Sequence, residues 1–285
     1  MAILVDECRW EWRGRRWCHV VSSDSFDELH TFAKQLGLRR LSFQGDHYDV
    51  DEVTRTLAVE LGATAVNSRE IVRALRSSGL RRGPALDRGG LEAVVGLPAP
   101  QLQTERLILR QWTPDDVTPS AEVDADPDVM AMLGGTRSPE QSRIDIDLEA
   151  TRIARVGFGL WAVEERLSGQ LVGRVGVRPT DQSLPFPVAL ELAWRLRTVS
   201  QGRGYATEAA SAVMTYAFEE LEAPEVIAFT AAINTRSRSV MERLGMDYDH
   251  HSDFDHPRLA VDDPLRRHVL YRSHPDTHPL KHRNS

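Results

Sequence analysis

The amino-acid sequence predicts an α+β domain with an antiparallel-rich sheet, preceded by a small α/β domain. Three observations carry that prediction. The chain has 285 residues, long for one hydrophobic core, so two domains are expected. From Arg81 to Gln101 it reads RRGPALDRGGLEAVVGLPAPQ, and glycine and proline at that density interrupt regular structure. Before this stretch strand and helix signals alternate, and after it strands gather into hairpins around a few longer helices. The expected division is residues 1–83, a linker at 84–101, a second domain at 102–273 and a tail at 274–285.

Within the first domain, Ala2–Val5 is a short apolar run, the mark of a buried strand. Ser25-Phe26-Asp27-Glu28 has capping-box spacing, and Phe26, Leu29, Phe32, Ala33 and Leu36 follow on one helical face before Gly37. Leu41–Phe43 reads as a strand. Asp51 caps a helix to about Leu61, Ala63–Val66 is a further strand, and Ser68 opens a helix that Gly79 ends. That alternation predicts a largely parallel sheet.

In the second domain Glu105–Gln111 alternates Leu107 and Leu109 with Arg106 and Arg110, a half-buried strand. Thr113 starts a helical region, and Ser138-Pro139-Glu140-Gln141 starts a helix running to about Val156. Phe158–Glu164 and Leu171–Val177 form a hairpin over Leu167–Gln170. Val188–Arg197 is a strand, followed by a glycine turn and a helix at Tyr205–Leu221. Val226–Ala231 is a strand, Thr235–Leu244 a helix, and Met246–His250 and His268–Tyr271 close the sheet.

Composition narrows the functional classes. Hydrophobic residues make up 41% and charged residues 27%, ordinary for a globular protein. No apolar run approaches the ~20 residues that span a bilayer, and Met1–Arg16 has no signal-peptide core. Cytoplasmic residence, without a membrane partner, is expected. Residues 1–83 carry a net charge of +1 and the remainder −8, within a total of −7, so bulk charge does not favour nucleic acid. Cys8 and Cys18 are the only cysteines. Their spacing suits neither a disulfide framework nor zinc, and reduced thiols are expected.

The informative spot is Gly202-Arg203-Gly204-Tyr205-Ala206-Thr207-Glu208-Ala209. Glycines between a strand and a helix let backbone N–H groups point inward, beside the positive end of the helix, and together these suit a pyrophosphate. Thr207 stands where a dinucleotide fingerprint needs glycine, and no G-K-[ST] follows for a P-loop. The glycines alone allow equally a tight turn kept for steric reasons.

The flanks resemble the GNAT superfamily of N-acetyltransferases, in particular the branch with the ribosomal-protein N-acetyltransferases. The resemblance rests on Thr104–Arg110, Asp126–Met130, Gly157–Val163, Glu191–Leu196, Gly202–Ala209, Asn234–Ser237 running to Leu244-Gly245-Met246, Asp255–Pro257 and Leu265–Tyr271. It covers about 170 residues in order, from about 102 to 272. It implies the acyl-CoA N-acyltransferase fold and an enzyme that moves acetyl from acetyl-CoA, as co-substrate, to a primary amine by direct attack in a ternary complex. The acceptor would be a small molecule or a protein N-terminus.

The resemblance also implies site residues. The backbone of Gly202, Arg203, Gly204, Tyr205, Ala206 and Thr207 would wrap the CoA pyrophosphate. Leu192, Trp194 and Leu196 would pair with the pantetheine arm as an added strand, one amide polarising the thioester carbonyl. Asn234 would hydrogen-bond near the pantetheine. Glu191 would remove the acceptor's proton, unless it is a solvated or salt-bridged glutamate paired with Arg174 or Arg195. Ser237 would stabilise the leaving thiolate, unless it only starts a helix.

Two positions depart from the family pattern. Gln201 stands where many relatives have an aromatic residue. Met241 stands where a tyrosine acid is common, which leaves Tyr205 and Tyr271 as fallback acids. No metal is expected: His250, His251, Asp253, Asp255 and His256 are metal-competent by type, but they match the family tail.

The first domain resembles a small uncharacterised bacterial domain family through Val5-Asp6, Trp17–His19, Asp24–His30 and Gly45–Asp49. No activity comes with that resemblance. Asp6 and the Asp46-His47-Tyr48-Asp49 loop fall where α/β sheets place ligand sites. With His19 and His30 they suit a divalent metal or acid–base work, or they are turn and capping residues. Two other functions stay open: a non-catalytic acyl-CoA sensor, and a bifunctional protein with a metal-dependent hydrolase as its first domain. The acceptor-binding segments, Thr113–Val156 and Asp181–Pro187, carry no transferable code for the amine.

Overall fold

In the computed structural model, which describes residues 2–12, 14–81, 90–97 and 99–277, the chain divides into units at Met1–Arg88 and Gly89–Ser285. The first unit is built on β3 (Arg15–Ser22). One edge of β3 pairs antiparallel with β1 (Ile3–Val5) and β2 (Trp10–Trp12), the other with β4 (Tyr48–Asp51). Only β1 and β5 (Thr64–Ala65) pair in parallel among its described strands.

The expected largely parallel sheet is therefore corrected to a mainly antiparallel one. The reason is local: Gly14 takes a φ of +72° between β2 and β3, so the chain reverses within a hairpin instead of crossing over through a helix. The expected strand at Leu41–Phe43 is also corrected. Arg40–Ser42 is a 3-10 turn, and Phe43 only bridges to Tyr48.

Helix Phe26–Gln35 starts at Ser25, whose side chain accepts from the Glu28 amide. Asp51 caps helix Glu52–Glu60, and Asn67, one residue before the expected start, caps helix Ser68–Ser77. Alternation along β3 splits its side chains between two faces. Cys18 and Val20 pack with Leu29, Phe32, Tyr48 and Val50, while Val21 packs with Ile71 and Leu75. Cys8 and Cys18 are buried free thiols, and burial pushes the Cys18 pKa up.

The second unit carries a sheet of β6 (Leu102–Gln103), β7 (Leu107–Arg110), β8 (Leu160–Glu165), β9 (Leu171–Pro179), β10 (Leu190–Leu196), β11 (Val226–Ala231), β12 (Asp247–Tyr248), β13 (Phe254–Asp255) and β14 (Arg267–Ser273). The order is β12-β14-β11-β10-β9-β8-β7-β6, with β13 beside β14. All neighbours are antiparallel except β10 and β11.

Helix Pro139–Val156 starts after Ser138 as expected, with Ser138 and Gln141 forming a capping box, and ends on Gly157 at φ +84°. It packs with helix Val117–Ala125 and β8, while helix Tyr205–Glu219 packs on β9 and β10. The buried indoles are satisfied: Trp112 Nε1 donates to Leu160 O at 2.7 Å and Trp161 Nε1 to Pro100 O at 3.1 Å.

Of the expected linker, residues 84–89 and 98 lie outside the described residues. Residues 90–94 form a helical turn in the second unit, where Leu91 and Val94 are fully buried and the Leu91 amide donates to Asp147 Oδ1 at 2.9 Å. Among the described residues no helix is long and apolar enough to cross a membrane.

Candidate active site

A break in the middle of the second sheet makes the site. β10 and β11 run parallel but pair only at Leu190↔Val226 and Glu191↔Ile227. Beyond these the two strands part. On the other edge of β10 the ladder to β9 is complete from Leu190 to Leu196. Ala189 O accepts from Thr180 N and Arg197 N donates to Val172 O, so odd-numbered residues turn their backbone groups toward β9. The N–H and C=O groups of Leu192, Trp194 and Leu196 therefore point away from β9, toward β11 and the gap. The Leu192 N–H still belongs to the last β11 pairing, and Leu196 O accepts from Gln201 Nε2 at 3.1 Å; the open strand edge inside the sheet runs from Leu192 O to Trp194.

The gap leads to a cavity of about 1050 Å³ lined by Trp194, Gly202, Gly204, Thr207, Asn234 and Ser237, among others. At its mouth Gly202 and Gly204 take φ of +73° and +81°. A Cβ on Gly202 would meet nothing within 4 Å, so backbone conformation, not crowding, calls for glycine there. Gly204 is the N-cap of helix Tyr205–Glu219 and has no capping side chain. The first-turn amides are thereby left available to an anion at the positive helix end.

Neighbouring groups brace this turn. Arg106 donates to Arg203 O and pairs with Glu208 at 2.6 Å, and Glu208 accepts from Thr104 Oγ1 at 2.6 Å. Burial works against the Glu208 charge, but the bonds from Thr104 and Arg106 hold its pKa below the usual glutamate value.

On the other side of β10 a cavity of about 290 Å³ is lined by Glu191, Arg178, Glu149, Phe229, Ser237 and Met241, among others. Glu191 pairs with Arg178, its cross-strand partner, at 3.2 Å, and not with Arg174 or Arg195. Those two guanidiniums both bind Asp124, which is fully buried and also accepts from Ser142 Oγ at 2.6 Å. Burial alone would raise the Asp124 pKa; the charges of Arg174 and Arg195 hold it below the ordinary value. Burial, with Arg174 alongside, brings Arg195 down to about 10.

Asn234 is buried and caps helix Thr235–Arg243. Its Oδ1 accepts from Ser237 N, and its Nδ2 donates to Thr230 Oγ1 at 2.8 Å and to Ser237 Oγ at 3.0 Å. The Ser237 oxygen thus accepts a bond, and its own O–H is left to donate into the cavities it lines. The two tyrosines are engaged elsewhere. Tyr205 O–H donates to Glu165 beneath Arg106 and Arg203, and Tyr271 O–H donates to Glu242 at 3.2 Å. Met241 is buried at the wall of the smaller cavity.

Sequence reading did not single out Arg178, Phe229, Arg236 or Arg243. The basic run in the helix after Asn234 signals the last two, which line the larger cavity. Arg178 and Phe229 are brought to the site by strand register, which no motif announces.

In the first unit the structure brings His19, His47 and Asp49 together, with Asp6 and Asp46 behind them. His30 and Tyr48 lie on the opposite face, bonded to each other at 2.9 Å, and burial lowers the His30 pKa to about 3. Near the end of the second unit the acids are already paired: Asp253 accepts from Tyr248 at 2.8 Å, and Asp255 sits with Arg266 and Arg267.

A family profile described as Acetyltransferase (GNAT) domain matches residues 106–247, and one described as a protein of unknown function, DUF4031, matches residues 3–78. The chain is 30% identical over 149 residues to the uncharacterised protein YkkB of Bacillus subtilis, covering 52% of this chain and 86% of that protein. It is also 30% identical over 182 residues to the FsC-acetyl coenzyme A-N(2)-transacetylase of Aspergillus fumigatus, covering 61% and 77%. Among solved structures, an acetyltransferase from Agrobacterium tumefaciens aligns with a TM-score of 0.51 at 28% identity, covering 62% of this chain and 96% of that one. The ribosomal alpha-N-protein acetyltransferase RimL, in complex with coenzyme A, aligns with a TM-score of 0.52 at 14% identity over 62% and 99%, a likeness of fold alone.

Proposed function

Because the chain belongs to the GNAT acetyltransferase family, we propose that it transfers the acetyl group of acetyl-CoA to the primary amine of a small molecule or a protein N-terminus, by direct attack in a ternary complex. The observation that carries this reading is the parting of β10 from β11 after two paired residues, opening onto the glycine turn. A linear amide-bearing arm ending in a pyrophosphate suits both features: an unpaired strand edge for the arm, and helix amides for the anion. The name of the Aspergillus relative, an N(2)-transacetylase, supports nitrogen as the accepting atom.

Acetyl-CoA supplies the activated thioester, and the protein's part is placement and charge. Leu192 O and the Trp194 backbone align the arm, and the Trp194 N–H stabilises the negative charge that develops on the thioester oxygen. Gly202, Arg203, Gly204, Tyr205, Ala206 and Thr207 hold the pyrophosphate, Leu196 bounds the gap, and Asn234 orients Ser237. Glu191, held by Arg178, takes the proton of the attacking amine as the C–N bond forms. Ser237 donates a hydrogen bond to the thiolate as the C–S bond breaks.

A second reading has its own observation. Met241, buried at the cavity wall, cannot donate a proton, which suits a sensor that binds acyl-CoA without turnover. Calorimetric titration with acetyl-CoA, alongside Gly204→Glu, tests the cofactor; thiol release in an amine screen tests turnover. Tight binding lost in Gly204→Glu, with turnover lost in Glu191→Gln at unchanged acetyl-CoA affinity, is expected. Binding without turnover on any amine favours the sensor. No binding by folded protein overturns both.

A further inference from the structure

The transferase chemistry leaves unused a group of metal-ligating side chains in the first unit. His19 and Asp49 are direct partners across β3 and β4, and His47 precedes Asp49 by two residues. His47 stands just ahead of β4, and the three converge, with a ligand atom from each within 4.8 Å of the others. His47 Nε2 lies 3.2 Å from Asp49 Oδ1. Neighbouring ligands around an ion with bonds of about 2.0–2.1 Å sit roughly 3 Å apart.

Both imidazoles are oriented from behind. His19 Nδ1 meets Asp6 Oδ2 at 3.1 Å, and Asp6, nearly fully buried just after β1, also accepts from the His19 amide at 2.7 Å. His47 Nδ1 meets Asp46 Oδ1 at 2.6 Å. A carboxylate on Nδ1 fixes the tautomer and leaves Nε2 as the ligand atom, the arrangement that supports metal-bound histidines. Asp49 Oδ1 is shielded from solvent, and the contact the structure gives it is the one to His47 Nε2.

We propose that His19, His47 and Asp49 bind a divalent transition-metal ion, with Asp6 and Asp46 positioning the two imidazoles. Two imidazoles and one carboxylate suit a first-row transition metal and not calcium or magnesium, which prefer all-oxygen sets. The nearby thiols take no part, because Cys18 points to the opposite face of β3. Three protein ligands leave coordination positions free for water or a small ligand, the pattern of a reactive site, not a closed structural one. The ion would sit beyond the end of β1, where its parallel pairing with β5 stops. This assignment revises the expectation of a metal-free chain and does not rest on the transferase reading.

The test is titration of the EDTA-treated full-length protein with Co2+, followed by visible absorption, and with Zn2+ by calorimetry. One equivalent bound with ligand-field bands is expected. Asp49→Asn and His47→Gln, which keep side-chain size, should each weaken Zn2+ binding by more than the ~10–100-fold expected for the outer-shell Asp6→Asn. His250→Gln with His251→Gln should leave affinity unchanged. Circular dichroism establishes that each variant is folded; if one is not, the others carry the test. No binding by wild type, or equal affinity in Asp49→Asn and His47→Gln, overturns the proposal and leaves the cluster as two structural His–Asp pairs.

Discussion

Asp124 joins structure and site through one buried charge. It is fully buried and holds Arg174 and Arg195, cross-strand neighbours on β9 and β10. Removing one partner of a buried ion network leaves the others uncompensated, at a cost of about 3–5 kcal/mol. Asp124→Asn is therefore expected to lose stability on that scale, read as a lower urea midpoint at unchanged slope. The pH dependence has a definite sign. The carboxyl is held below its usual 3.8, so its contribution is complete above that value and is lost as pH falls through the lower folded value. Acid unfolding of the second unit should thus be less steep in Asp124→Asn. Ser237 is a separate case, since its O–H is free to meet a developing thiolate. Ser237→Ala should lower kcat by about 10²-fold with little change in KM for acetyl-CoA, measured by thiol release. An unchanged kcat would reduce Ser237 to a helix-start residue.

At the scale of an element, the two edges of β10 make opposite demands on the same backbone. Odd residues donate into the β9 ladder and even ones face the gap, so proline should act by parity. Ala193→Pro removes a ladder bond and should destabilise the sheet by ~3 kcal/mol or more. On the backbone, Trp194→Pro removes only an N–H that faces the gap, as on an edge strand, and Trp194→Ala serves as the control for loss of the indole. Trp194→Pro should leave a folded protein with weakened acetyl-CoA binding. Thermal melts and calorimetry on the pair check both, and equal destabilisation would mean that the gap side of β10 carries structural bonds.

The same strand shows how far the sequence could be read. The family motif points to Leu192, Trp194 and Leu196, and the hydrogen bonding shows that these three, unlike their neighbours, turn backbone groups away from β9. The glycine turn and its helix were legible because capping and positive-φ positions leave local signatures. Arg178 beside Glu191 was not, because a cross-strand partner depends on register between segments far apart in sequence. In the first unit β2, β3 and β4 escaped notice for a similar reason. Charged residues such as exposed Arg15 and Arg16 and half-buried Asp49 and Asp51 break up their apolar pattern, and β2 and β4 become strands through their pairing with β3. The approach of His19 to His47 is a further product of that register.

At the scale of the molecule, two cores imply two separable stabilities. The first unit closes around Leu29, Phe32, Tyr48 and Val50. The second closes around Trp112, Trp161, Ile146 and Ile153, with Leu91 and Val94 adding the segment that follows residue 89. A ligand stabilises only the cooperative unit that binds it, by RT ln(1 + [L]/Kd), or about 2.7 kcal/mol at 100 times Kd. Scanning calorimetry should then resolve two transitions that answer to different ligands. Acetyl-CoA should raise the one belonging to residues 89–285 and leave the other in place, while Zn2+ should do the reverse. A chain beginning at Gly89 should keep the acetyl-CoA-sensitive transition and its affinity, since the gap, the glycine turn and Glu191 all lie within it. If both ligands instead moved a single shared transition, the units would be energetically coupled. Metal occupancy in the first would then bear on acetyl-CoA binding in the second, and by linkage the effect would be equal in the other direction.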